Sequence, residues 1–184
     1  MKPYRVIAFY TDDEIYGEAI KKLTSSLIRF DIPHTIKAIP KKETWKKTLL
    51  SMHPLTLEAF DLYPNENLLY LDADAVVQQY PILFDTIDCD IAVHYRDGKE
   101  LLVGTTYLKN CEKVKELVRQ WAKYSLLGDD LLSPQTGLVE ALKHGDYNIY
   151  NLPASYTLIF GGMKSQGPPV IEHFQYSRKV RDKR

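Results

Sequence analysis

The chain has little of what usually places a sequence quickly. Of its 184 residues only Cys89 and Cys111 are cysteines. Two cysteines make no disulfide framework, and each lies beside an apolar run, so both read as small, reduced core residues of a cytoplasmic protein. Neither sign of charge dominates: 24 Lys plus Arg balance 24 Asp plus Glu. That balance excludes the broad basic footprint of a nucleic-acid binder. No apolar run reaches the length of a membrane span. The run Val6 to Tyr10 is too short for a signal-peptide core, and no small-residue cleavage site follows it. Repeats, low-complexity tracts and Gly/Ser linkers are also missing, so one domain is expected over 1–184. The single local excess of charge is a basic tail, 177–184, with Arg178, Lys179, Arg181, Lys183 and Arg184. It reads as a solvated terminus.

What is present is a succession of strand-length and helix-length patterns. Val6-Ile7-Ala8-Phe9-Tyr10 is a continuous apolar run suited to a buried parallel strand. Thr11-Asp12-Asp13 supplies the chemistry of a helix start, and Ile15, Ala19, Ile20, Leu23, Leu27 and Ile28 follow at helical spacing. Pro33 breaks the chain before a second strand, Thr35 to Ile39. Another helical stretch begins near Glu43, with Pro54 either interrupting it or starting a new helix. Asn65-Glu66-Asn67 is a turn, and Leu68 to Leu71 is the strongest strand signal in the chain.

This β-α-β-α-β order calls for a mostly parallel sheet covered by helices on both faces. The second half is mixed. Strands are expected at Asp90–Tyr95 and Leu101–Leu108 around a turn at Asp97-Gly98, and helices at Glu112–Tyr124 and Pro134–Leu142. Late strands are expected at Ile149–Leu152 and Val170–Phe174. The fold class is therefore α/β: one domain, a mostly parallel central sheet and a mixed C-terminal half.

Asp72-Ala73-Asp74 stands at the end of the strongest strand, and ligands bind at the carboxyl ends of parallel strands. If the chain stays extended there, the two carboxylates face the same side roughly 6–7 Å apart. Hard oxygen donors so placed suit Mg²⁺ or Mn²⁺. A helix cap or a turn would use the same residues, and so short a pattern arises by chance at roughly even odds. Asp72-Ala73-Asp74-Ala75-Val76 also resembles the first motif of haloacid-dehalogenase-type phosphatases, in which the first Asp is a covalent nucleophile and the second a general acid. That motif normally lies on the first strand, whereas a β-α-β-α unit precedes it here. Asp129-Asp130 imitates the later metal motif of those enzymes but has no apolar strand leading into it.

Several segments in order resemble the nucleotide-diphospho-sugar transferase superfamily (GT-A fold), close to glycosyltransferase family 8 and its compact bacterial and phage relatives. They are Tyr10-Thr11 with Tyr16, Ser26-Leu27, Trp45, Leu69-Tyr70-Leu71-Asp72-Ala73-Asp74 and Gly104-Thr105-Thr106-Tyr107-Leu108. Trp121, Leu152-Pro153 with Tyr156 and Ile159-Phe160, and Pro169 to Phe174 complete the set. The resemblance implies a nucleotide-binding half, 1–77, and an acceptor half, 78–176. It implies transfer of a hexose from a nucleotide sugar, with a uridine-diphosphate sugar favoured, to an acceptor hydroxyl with retention of configuration.

Thr11 and Tyr16 would contact the base. Asp72 would lie near ribose and metal, with Ala73 between it and Asp74, the more direct ligand. His173 would be the third ligand, although a His in such a strand is by itself more often a core residue. Imidazole with carboxylates favours Mn²⁺ over Mg²⁺. Gly104 and Thr105 would line the acceptor side, with core packing an equal reading for Thr105.

Two departures bear on catalysis. His53-Pro54 stands where relatives often carry Lys-Pro, leaving a weaker, pH-dependent cation. Pro134-Gln135 stands where many carry Asp-Gln, so Gln135, Asp129 and Asp130 are the remaining catalytic candidates. A non-catalytic module that binds a nucleotide sugar or glycan is the alternative.

Overall fold

The computed structural model describes residues 2–126 and 133–176. Its centre is strand β1 (Tyr4–Thr11), whose side chains alternate between two cores. Val6 and Ala8 pack under helix α1 (Glu14–Arg29), against Ile20, Leu23 and Leu27. Ile7 and Phe9 face the other way, toward helix α3 (Met52–Leu62) and its Met52, Ala59 and Phe60. Strand β3 (Asn67–Leu71) repeats the division, Leu69 and Leu71 to the first core and Leu68 and Tyr70 to the second. A strand buried on both faces reads as a continuous apolar run, as these two do.

The remaining elements follow from local chemistry. Asp13 caps α1 by accepting from the Tyr16 amide at 3.0 Å. Strand β2 (His34–Ile39) follows, then the short helix α2 (Trp45–Leu49), capped by Thr44. The break falls at Leu50-Ser51 rather than at Pro54, which occupies the first turn of α3. There its missing N–H is one of the helix's unpaired donors anyway.

After β3 come strand β4 (Ala75–Val77) and the hairpin of β5 (Ile91–Arg96) and β6 (Glu100–Leu108). Asp97 and Gly98 turn this hairpin with φ of 52° and 67°. Helix α4 (Glu112–Leu126) and helix α5 (Pro134–Leu142) cover the second core with Leu117, Val118, Trp121 and Leu138. Strands β7 (Ile149–Asn151), β8 (Leu158–Ile159) and β9 (Ile171–His173) finish the chain.

The main sheet has the order β2-β1-β3-β6-β5-β7. The β1–β2, β1–β3 and β5–β7 pairs are parallel, and β6 is antiparallel to both β3 and β5. Reversal is thus confined to β6, and the sheet is mostly parallel with helices on both faces, as expected. A second sheet, β4-β9-β8, lies beside α1 and was not anticipated. It begins where β3 ends, and it positions the site.

Candidate metal centre

Beyond Leu71 the chain does not stay extended. The Ala75 amide donates to the Asp72 carbonyl at 2.9 Å, closing a turn over Asp72–Ala75 that sends the chain into β4. This corrects the extended geometry expected from the sequence. The two carboxylates converge because the backbone turns between them.

Each carboxylate is held. The Asp72 amide donates to the Gly104 carbonyl at 2.9 Å, continuing the β3–β6 pairing, and Asp72 Oδ1 accepts from the Tyr70 hydroxyl at 2.9 Å. Asp74 Oδ2 accepts from the Tyr176 amide at 3.1 Å. Strand β9 runs antiparallel to β4 with His173 opposite Ala75. That register carries the imidazole to the turn, where His173 Nδ1 lies 3.5 Å from Asp74 Oδ1. Asp72, Asp74 and His173 each offer a ligand atom, all within 4.8 Å of one another.

The buried hydroxyl of Thr105 meets His173 Nε2 at 2.8 Å. With the Nε2 proton donated to Thr105, Nδ1 keeps its lone pair for the space shared with the carboxylates. Gly104 borders that space. A methyl group on its Cα would stand 2.8 Å from Asp72 Oδ2 and 3.3 Å from His173 Nδ1. Two carboxylates and an imidazole therefore aim into a gap that exists because residue 104 has no side chain. Among the described residues no Lys or Arg ion pair reaches either carboxylate. Burial and the Asp74 charge push the Asp72 carboxyl above its ordinary range, opposed by His173 and the Tyr70 hydrogen bond. A divalent cation fits this donor set in charge and in chemistry.

The other expected site residues divide. Thr11 is buried at the end of β1, its hydroxyl donating to Asp13 Oδ2 at 2.6 Å. Tyr16 is half-buried, and burial, with smaller contributions from Asp74 and Asp72, pushes its hydroxyl pKa up. Thr105 is wholly buried, with its hydroxyl against His173. Ala73 is buried within the turn.

His53 is not a surface cation. It is 2% exposed, its ring edge-on to Trp121 at 5.0 Å. Burial lowers its pKa to about 4. Pro134 is the first residue of α5, inside a capping box of Ser133 and Thr136. Gln135 is bound to Glu100 at 3.2 Å. Glu100 stands four residues before Gly104 on β6, about 13 Å away by strand rise. Asp129, Asp130 and the basic tail 177–184 lie outside the described residues. Sequence reasoning missed Tyr70 as a partner of Asp72, although residues two apart on a strand share a face. It also missed the Tyr176 amide, which no sequence signal marks.

No protein-family model matches the chain, and no curated protein matches it. A solved structure does: "Crystal structure of a glycosyltransferase involved in the glycosylation of the major capsid of PBCV-1", with a TM-score of 0.77 at 12% identity. The match covers 98% of this chain and 97% of that one. The two share a fold. That likeness spans nearly the whole of both chains.

Proposed function

We propose that the chain is a metal-dependent glycosyltransferase moving a sugar from a nucleoside-diphosphate sugar to an acceptor hydroxyl. The observation that carries this is the convergence of Asp72, Asp74 and His173 on the gap at Gly104, within a glycosyltransferase-like fold. Asp72, Asp74 and His173 would hold the cation, with Mn²⁺ favoured over Mg²⁺ by the nitrogen ligand. Bound there, the metal supplies Lewis-acid stabilisation of the diphosphate leaving group.

The protein's own groups prepare that contact. Tyr70 and the Tyr176 amide fix the two carboxylates, and Thr105 fixes the imidazole tautomer. The backbone of Thr11 and the ring of Tyr16 would contact the base of the donor. The resemblance to family 8 favours a uridine-diphosphate hexose and retention of configuration. Two free thiols, Cys89 and Cys111, support work in the cytoplasm.

Calorimetric titration with uridine diphosphate tests the donor site. Binding is expected with Mn²⁺ present and lost with chelator or in Asp74→Ala. Binding that ignores both changes would remove the metal from the reading.

A second reading, a module that binds the donor without turnover, is favoured by Pro134. Its buried ring at the start of α5 offers no proton where many relatives carry Asp. Release of free sugar or transfer from any nucleotide sugar under prolonged incubation decides between them. Turnover supports the enzyme, and tight metal-dependent binding without turnover supports the module.

A further inference from the structure

Strand β5 carries a second histidine beside the metal centre, and an irregularity in the sheet puts it there. Ala92 pairs with Tyr107 and His94 with Leu102, so β6 has the four residues 103–106 where β5 has only Val93. Such a bulge bunches the longer strand. The bunched residues include Gly104, which borders the gap, and Thr105, whose hydroxyl meets His173. His94 therefore stands beside both, one strand spacing of about 4.8 Å away. It also projects to the side of the sheet that His173 occupies. Ala92 and Tyr107 lie in the first core, and residues two apart on a strand share a face, so His94 and Thr105 point the same way. The His94 ring is fixed at one nitrogen and open at the other. Nδ1 lies 2.7 Å from the Leu152 carbonyl, and a carbonyl only accepts, so Nδ1 carries the proton. In the neutral ring Nε2 is then a lone pair, and among the described residues no group donates to it. Unlike Nε2 of His53 it is not a sealed atom without a partner, since His94 keeps 9% of its surface in water. Arg96 and Glu100, the charged residues next along the hairpin, are paired with each other.

Resting on the glycosyltransferase reading above, we propose that His94 Nε2 is the hydrogen-bond acceptor for the incoming hydroxyl of the acceptor. A diphosphate on the cation directs the anomeric carbon of the sugar beyond its terminal phosphate. The attacking oxygen must then stand about 3–3.5 Å from that carbon. A fixed lone pair one strand from the gap draws the hydroxyl proton to itself, which leaves an oxygen lone pair free to face the carbon. The Leu152 carbonyl acts through the ring, by holding the tautomer that keeps Nε2 bare. Water, the smallest hydroxyl, is held in the same way, so hydrolysis of the donor reports on the site.

Two substitutions separate the two nitrogens of the ring. Asn places an amide N–H where Nδ1 stood, so His94→Asn keeps the Leu152 contact and removes Nε2. Gln reaches further and returns an acceptor oxygen to the Nε2 position. The probes are a panel of uridine-diphosphate hexoses with Mn²⁺ in water, read as release of uridine diphosphate, and uridine diphosphate itself, read by calorimetry. His94→Asn is expected to lower kcat for donor hydrolysis at least about tenfold. The donor KM, the affinity for uridine diphosphate and the thermal midpoint should not change. His94→Gln should recover part of the rate. Diethyl pyrocarbonate acylates a reachable imidazole lone pair, so in the folded protein it should label His94 and spare His53, whatever the activity. An unchanged kcat in His94→Asn, equal losses in both variants, or no label on His94 overturns the proposal and leaves the metal site standing. A wild type that binds no uridine diphosphate with Mn²⁺ sinks the donor-site reading first. One that binds it but hydrolyses none of the panel sinks the enzyme reading, and in either case this inference falls with it.

Discussion

A methyl group on residue 104 would stand 2.8 Å from Asp72 Oδ2, 3.1 Å from His173 Cε1 and 3.3 Å from His173 Nδ1. These contacts are tighter than van der Waals packing, and the atoms they strike are the ones that face the proposed cation. Gly104 has no left-handed backbone to maintain, so Gly104→Ala changes occupancy of the gap and little else. The variant is expected to fold with a thermal midpoint close to that of the wild type. Its Mn²⁺-dependent affinity for uridine diphosphate should fall at least about tenfold, which corresponds to about 1.4 kcal/mol. Calorimetry on the folded variant checks this, and an unchanged affinity would show that the ligand binds away from Gly104.

The sequence marked Gly104 as a residue of the site, on the acceptor side. What it did not carry was the identity of the atoms in front of it. Those depend on the pairing of Leu71 with Thr105 and of Ala75 with His173, both contacts between distant parts of the chain.

Helices α4 and α5 show what was legible at the scale of elements. Their apolar spacing and the cap of α5 are local, and the expected Pro134–Leu142 is the helix observed. Strands β4 and β8, with three and two residues, carry no periodicity long enough to detect, and they exist only through pairing with β9. The contact between α4 and α5 was equally hidden. An added Cβ at Gly137 would lie 2.8 Å from the Ser125 backbone nitrogen and 3.0 Å from its Cα. Backbone cannot swing aside as a side chain does, so Gly137→Ala must push the two helices apart. The higher helix propensity of Ala offsets this by about 1 kcal/mol at most. A net destabilisation of about 1–3 kcal/mol is expected from overpacking. Chemical denaturation measures it, and a variant as stable as the wild type would show that α5 shifts freely on α4. The proposed metal triad stands on the turn between β3 and β4 and on β9, away from this contact, so metal affinity should survive in the folded fraction.

Across the whole molecule the division between legible and hidden follows the range of the interactions. Alternation and helical spacing gave the parallel core, because burial on two faces leaves its imprint on consecutive residues. The Asp72 turn, the second sheet and the fate of His53 depended on which segments meet. His53 sits at the second position of α3, a place that suits an exposed polar residue, yet α4 closes over it. Its Nδ1 lies 3.2 Å from the Leu50 carbonyl and must be the protonated nitrogen, since a carbonyl only accepts. Nε2 is buried with no partner, so charging the ring would place an unpaired N–H in the apolar core.

The folded-state pKa accordingly falls to about 4 from 6.5. Between those values the unfolded chain binds a proton that the folded chain refuses. Stability is therefore complete above about pH 6.5 and declines as pH falls toward 4, by on the order of 3 kcal/mol from this residue. His53→Phe keeps a ring against Trp121 and removes the titration. Urea unfolding at pH 7 and near pH 4 should show a larger loss for the wild type than for the variant, by about that amount. Equal losses would mean that His53 finds a partner for its second proton, and that this part of the core is wetter than its burial implies.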